Sequence, residues 1–436
     1  MQRILNALHD ARQRYALANP NSREADRLAE RYLPGGNTRN VLYHEPFPLT
    51  MTRGEGPELI DLDGHRYLDC VGEFSAGLFG HSDPVIKSAI HAALDQGIAM
   101  GASTNYERDL ARLLCERFPS IEQLRFCNSG TEAGLMAITT ARLVTGRDRI
   151  LAFNGAYHGG VIKFPAGLSR FNVPYDFVLA EYNEIEGTAE LIRETGDQLA
   201  AVIVEPILGA GGCIPGTRAF LEMLRRMTNE VGALLIFDEV KTARLGSGGV
   251  QKKLGITPDL TTLGKIIAGG LPTGAFGGRA ELMDCYNPRH PDSWKHAGTF
   301  NNNICSMAAG CAAMGKVFTP ERADDFYEWS ETHRQAINQL FIEKSVPMIC
   351  TGAGSMMAVH FTAGPLERRV SKSDESLALS ALLHMELLLE GVLICSRGDL
   401  FLSLPMTDAH LDRVRDALAG FIDRHHDMIT SAVTEG

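Results

Sequence analysis

The chain of 436 residues lacks any apolar run of the length, about 18 residues or more, that a membrane-spanning helix requires. Its first residues, MQRILNALHDARQRYALANP, alternate apolar and charged side chains at helical spacing and lack the apolar centre of a secretion signal. Basic charge is also short: 42 Lys and Arg stand against 53 Asp and Glu, a net charge of −11. Such a balance argues against a nucleic-acid partner and against docking on an anionic membrane. None of the nine cysteines forms a C-x-x-C pair and their number is odd, so neither a disulfide framework nor a zinc ribbon is expected. No metal is expected, and scattered free thiols fit a reducing compartment, which makes the cytoplasm the expected location. Internal repeats and low-complexity tracts are missing too.

What the sequence does contain is an alternation of elements. Residues 1–33 read as helical, and PGGNTRN at 34–40 as a loop. PELIDLDGHRYLDC at 57–70 reads as a hairpin turning at Asp63-Gly64. Beyond residue 85, helical stretches alternate with short apolar runs: RILAF at 149–153, AVIVEP at 201–206 and ALLIFDEV at 233–240. Runs of this kind are strands buried on both faces of a mostly parallel sheet. From about 320, long helical segments (320–344, 374–391, 407–428) flank short strands, the pattern of a second α+β unit. The expected division is an N-terminal segment at 1–68, a large α/β domain at 69–318 and a small C-terminal domain at 319–436.

Ligands of open parallel sheets bind outside the carboxyl ends of the strands. There the sequence collects ionisable groups: Glu205 after AVIV, Asp238 and Glu239 after ALLIF, and Lys265 after LTTLG. Ser129, Gly130 and Thr131 open a helix in NSGTEAGLMAITTAR. Such a turn caps the helix and leaves amides and hydroxyls free for a phosphate. Tyr157 and His158 follow the strand ending at Phe153, where an aromatic side chain either stacks on a flat ring or fills core. A phosphate cradle, an aromatic platform, a carboxylate and a lysine together meet the needs of pyridoxal 5′-phosphate. Its phosphate must be held, its ring stacked, its pyridine nitrogen kept protonated and its aldehyde captured by an amine.

These motifs resemble the class III, fold-type I, pyridoxal-phosphate-dependent aminotransferases. The resemblance rests on GHSDP (80–84), NSGTEA (128–133), YHG (157–159), VEP (204–206) and DEV (238–240). TTLGK with GGLPTGAFGGR (261–279) and HAGTFNNN (296–303) complete the set. It implies a seven-stranded, mostly parallel sheet in the large domain, Lys265 as the Schiff-base lysine and Asp238 as the pyridinium partner. Ser129, Gly130 and Thr131 would bind the phosphate, Tyr157 and His158 the ring, and Glu205 the cofactor's polar edge. Thr299 would reach the phosphate of a neighbouring subunit, so a homodimer with shared active sites is implied.

YLPGGNTRN followed by EPFPL is most similar to β-amino-acid aminotransferases of the β-phenylalanine type, and shares its PGG loop with glutamate-1-semialdehyde aminomutase. Arg39 would grip a substrate carboxylate, and Arg397 the far carboxylate of an acceptor such as 2-oxoglutarate. The alternatives are an intramolecular aminomutase and an amino-acid racemase or epimerase. The aromatics Tyr43, Phe47, Phe74 and Phe79 are candidates for an apolar substrate pocket as well as for core. Two residues depart from the family pattern, Gly134 and Lys241.

Overall fold

A computed structural model describes residues 1–369 and 371–434. The N-terminal stretch folds as two helices, Gln2–Ala18 and Pro20–Ala29, rather than one. Pro20 has no amide hydrogen to continue the first helix but suits the first turn of the second. The first helix buries Ile4, Leu8, Ala11 and Tyr15, spaced along one face, against the helix Asp374–Leu389. Three antiparallel strands follow: β1 (Met51–Glu55), β2 (Glu58–Asp61) and β3 (Arg66–Asp69). The β2–β3 pair is the hairpin expected around Asp63-Gly64.

The strands β4 (Gln123–Cys127), β5 (Arg149–Phe153), β6 (Phe177–Ala180) and β7 (Leu199–Val204) begin the main sheet. A two-stranded hairpin, β8 (Ile207–Leu208) with β9 (Ile214–Pro215), interrupts it in sequence. The strands β10 (Leu234–Asp238), β11 (Leu260–Gly264) and β12 (Gly274–Gly278) complete seven strands in the order β4-β12-β11-β10-β7-β5-β6. Only β12 runs antiparallel to its neighbours. Every residue of β7, β10 and β11 is buried, which explains their unbroken apolar runs. Strand β12, GAFGG, is glycine-rich because its neighbours' backbones lie against it. A Cβ at Gly274 would come within 2.1 Å of the Ser129 carbonyl oxygen, and one at Gly278 within 2.2 Å of that of Asp259.

The C-terminal region adds β13 (Met348–Ala353), β14 (Met356–Phe361), β15 (Val392–Leu393) and β16 (Asp399–Phe401). Strands β13, β14 and β16 form an antiparallel sheet. Strand β15 pairs in parallel with β3, so the N-terminal hairpin is joined to the C-terminal segment. The long helices run Pro320–Glu343, Asp374–Leu389 and Asp408–Thr434. No helix among the described residues is long and apolar enough to cross a membrane.

Candidate active site

Parallel strands deliver their carboxyl ends to one edge of the main sheet. Strand β4 leads into Asn128 and Ser129, β5 into the loop carrying Tyr157 and His158, and β7 into Glu205. Strand β10 ends on Asp238 and β11 on Gly264, directly before Lys265. The ionisable groups singled out in the sequence therefore share an edge.

Asp238 is buried, 5% exposed, and its carboxylate accepts three hydrogen bonds. The Val240 amide (3.1 Å) and the Thr262 hydroxyl (3.0 Å) donate to Oδ1, and His158 Nδ1 lies 2.8 Å from Oδ2. Neither Thr262 nor the pairing with His158 was legible as such in the sequence. His158 Nε2 is buried without a hydrogen-bond partner among the described residues. Gly134 has a packing reason, since a Cβ there would sit 2.7 Å from the His158 carbonyl oxygen.

The turn at Ser129 is a helix N-cap: its hydroxyl accepts the Glu132 amide at 3.2 Å, while the first amides of the helix Gly130–Thr145 have no intrahelical acceptor. Thr131 Oγ1 accepts the Gly160 amide at 3.1 Å. Gly159, with φ +133°, touches the same turn, and a Cβ there would meet Thr131 Cα at 2.7 Å. The cradle is thus built from glycines on both of its walls.

Glu205 Oε1 accepts the Tyr157 amide (2.9 Å) and Oε2 the Gly209 amide (3.0 Å). Burial raises its pKa, and the nearby His158 and Lys241 counter this in part. Glu239 belongs to the scaffold. It is buried and holds the amides of Val250 and Gln251 together with the Thr242 hydroxyl.

Lys265 takes φ +54°, an uncommon backbone state for a lysine. Its Nζ donates to the Phe74 carbonyl and, at 2.9 Å, to the Ser75 hydroxyl. Burial pushes the Lys265 amine well below the usual lysine range; Lys241 and Arg244 reinforce the shift, and Glu205 and Asp238 oppose it. A lysine amine freed of its proton is a nucleophile and a base.

The segment facing Lys265 is itself unusual. Glu73, Phe74 and Ser75 have φ of 49°, 52° and 81° after Gly72 at 49°. Asp69 Oδ1 holds the amides of Val71 and Gly72, both at 2.9 Å, at its start. Arg244, fully buried, clamps its end by donating to the Ser75 and Leu402 carbonyls and to the Ser355 hydroxyl. Burial lowers the Arg244 pKa to about 9. The sequence carried no signal for this turn or for its clamp.

Arg39 and Arg397 meet at Phe74. Their guanidinium carbons lie 5.3 and 5.7 Å from the centre of its ring. Each has a carboxylate neighbour not foreseen as part of the site: Glu73 for Arg39, and Asp399 for Arg397 at 2.6 Å. Tyr157, 43% exposed, feels both arginines as well as Glu205 and Asp238. Of the other candidate pocket aromatics, Phe47 and Phe79 are core instead, each 4% exposed. Phe47 packs on Tyr15, and Phe79 edge-on against Phe318. Tyr43 is half exposed. Lys241 lies against the Phe401 ring, 5.4 Å from its centre, beside Gly209 and Glu205. Thr299 lies on an exposed loop beside Phe300, which is 64% exposed.

The aminotransferase class-III family profile matches residues 41–422. The chain belongs to the class-III aminotransferases. It is 48% identical to the β-phenylalanine transaminase of Variovorax paradoxus over 98% of this chain and 99% of that one. The crystal structure of the β-phenylalanine aminotransferase of that organism superposes with a TM-score of 0.95, covering 97% and 98% of the two chains. Glutamate-1-semialdehyde 2,1-aminomutase 1 of Staphylococcus aureus is 37% identical over 86% of this chain and 91% of its own. A transaminase solved with pyridoxal phosphate bound is 29% identical, with a TM-score of 0.86, covering 95% and 99% of the two chains.

Class-III aminotransferases depend on pyridoxal 5′-phosphate, and the residues here fit it. The Lys265 amine and the buried Asp238 carboxylate share one sheet edge, the imidazole on that carboxylate leaves its Nε2 buried and unpartnered among the described residues, and the capped turn has no room for side chains at Gly130 or Gly159.

Proposed function

We propose that this enzyme moves the amino group of a β-amino acid, one with an aromatic side chain, to a keto acid such as 2-oxoglutarate. The observation that carries this reading is 48% identity to a β-phenylalanine transaminase along 98% of the chain. The arginine pair around Phe74 supports it, since it sets carboxylate recognition beside an apolar ring and next to the lysine.

In this reading Arg39 grips the substrate carboxylate with Phe74 beneath it, and Arg397 takes the far carboxylate of a dicarboxylic acceptor. Lys265 carries the cofactor, and its Nζ then moves the proton at the amine-bearing carbon. When bound, pyridoxal phosphate supplies an electron sink for the pair left on that carbon. Asp238, aligned by Thr262 and His158, holds a proton at the pyridine nitrogen. Ser129, Gly130 and Thr131 bind the phosphate, Tyr157 covers the ring, and Glu205 lies at its polar edge. Thr299 serves a second subunit of a homodimer, and the enzyme works in the cytoplasm.

The test is a panel of α-, β- and ω-amines against 2-oxoglutarate and pyruvate, following the keto product and the cofactor's absorbance. β-Phenylalanine turning over only with an acceptor is the expected result. Turnover without acceptor would instead mark an aminomutase, and loss of enantiomeric purity a racemase or epimerase. A Lys265→Ala variant that keeps the cofactor's absorbance shift and full turnover would overturn the assignment of the lysine.

A further inference from the structure

Strained backbone lies on both sides of one nitrogen atom, Lys265 Nζ. Lys265 itself has φ +54°, and the turn it touches carries three consecutive residues other than glycine, Glu73, Phe74 and Ser75, at positive φ. Backbone in this state persists only where its surroundings over-determine it. Asp69 fixes the start of the turn through the Val71 and Gly72 amides, and Arg244 fixes its end by donating to the Ser75 carbonyl at 3.0 Å.

What the strained turn supplies is a pair of acceptors. The Phe74 carbonyl and the Ser75 hydroxyl, from adjacent residues, converge on Lys265 Nζ, the hydroxyl at 2.9 Å. Ser75 is fully buried, and its hydroxyl makes no other hydrogen bond among the described residues. Nζ has no third hydrogen-bond partner and no ion pair among the described residues; Glu205 and Asp238 act on it through space. Burial holds the amine well below the usual lysine range, and Lys241 and Arg244 add to the shift. A neutral amine has two N–H bonds and one lone pair. With both N–H bonds committed to one turn, the lone pair is left on the side away from it.

We propose that Ser75 is a positioning residue for Lys265: its hydroxyl, with the Phe74 carbonyl, pins two N–H bonds of the amine so that the third position alone takes part in chemistry. This rests on the reading of Lys265 as the lysine that carries the cofactor and moves the proton. In that step the C–H bond at the amine-bearing carbon breaks, its electron pair passes toward the cofactor, and the proton joins the Nζ lone pair. The resulting ammonium has three hydrogens, two bonded to the turn and one just taken from the substrate. The hydrogen that Nζ hands on is therefore the one it received. The same pinning presents the lone pair to the cofactor's aldehyde when the apoenzyme captures it.

The experiment compares the parent with Ser75→Ala and Ser75→Gly. Both variants lack the hydroxyl, but glycine adopts φ 81° freely, so the glycine variant should unfold no earlier than the alanine variant. Each holoenzyme is given its amino-acid substrate deuterated at the amine-bearing carbon, without acceptor, and mass spectrometry reads the deuterium in the amino form of the cofactor after one turnover. A freely turning ammonium passes on any of its three hydrogens and so retains at most about one third. The parent should exceed that share, and both variants should fall to it or below. Each apoenzyme is also mixed with pyridoxal phosphate, and capture, followed by absorbance, should be about tenfold slower in both variants. Borohydride then fixes the cofactor to its lysine, and the labelled peptide should contain Lys265. An adduct on Lys265 with equal deuterium retention and equal capture rates in all three proteins overturns the role of Ser75 and leaves the lysine standing. Parent behaviour in the glycine variant alone also refutes it, because relief of strain would then replace the hydroxyl. An adduct on another residue removes the lysine assignment, and the role of Ser75 with it.

Discussion

Glu73→Gln should make the enzyme bind its amino acid more tightly. Arg39 Nη1 donates to Glu73 Oε1, and the two side chains are 41% and 60% exposed. If Arg39 grips the substrate carboxylate, the incoming group must displace Glu73. An ion pair this exposed is screened and contributes about 0.2–1 kcal/mol. Removing the competing charge should therefore lower KM for a β-amino acid by roughly 1.5- to 5-fold. The chemical step is untouched, so kcat should stay near its starting value. Added salt should shrink the difference, since it screens the Arg39–Glu73 pair in the parent enzyme. The assay is steady-state kinetics over a range of ionic strength, with Arg39→Lys alongside. That change gives up the forked grip on the carboxylate and should raise KM by about 1.5–3 kcal/mol, roughly ten- to a hundredfold. A rise in KM for Glu73→Gln at an unchanged unfolding midpoint would refute the argument, because Glu73 would then be aiming Arg39 rather than competing for it.

Three further outcomes are expected. Gly159→Ala should cost about 1–3 kcal/mol of strain and loosen the turn at Thr131, since the added Cβ would meet Thr131 Cα at 2.7 Å; urea midpoints and cofactor dissociation read both effects. Arg244→Met strands the Ser75 and Leu402 carbonyls and should destabilise the protein by roughly 2–5 kcal/mol in urea unfolding; a variant as stable as the parent would dismiss the clamp. His384 is buried against the His44 ring, and burial depresses its pKa to about 3. An unfolded histidine takes up its proton near pH 6.5 while the folded one does not, so its contribution is absent above about pH 7 and stability falls below it. The loss should be about 1.4 kcal/mol for each pH unit under 6.5, and His384→Phe should remove that share of the slope in urea unfolding between pH 7.5 and 5.5, while the adjoining His44, its pKa depressed by burial to about 4, keeps its own share.

Periodicity and local chemistry make much of this molecule readable in its sequence. Runs such as AVIVEP and ALLIFDEV declare strands covered on both faces, and in parallel strands the residue after the run falls on the ligand edge. That is why Glu205, Asp238 and Lys265 converge, and why the Ser129 turn, a local helix cap, was visible from its own residues. The break at Pro20 was missed because proline starts a helix as readily as it ends one. What the sequence could not carry were contacts between segments far apart in the chain. Glu73 against Arg39, Asp238 against His158 and Arg244 against Ser75 and Leu402 bring together residues separated by 34, 80, 169 and 158 positions. Phe47 and Phe79 went to the core and Phe74 to the arginines, although all three are the same side chain in neighbouring loops. Local patterns state what each segment tends to be. Which side chain closes on which charge is decided only when tertiary packing removes water from between them.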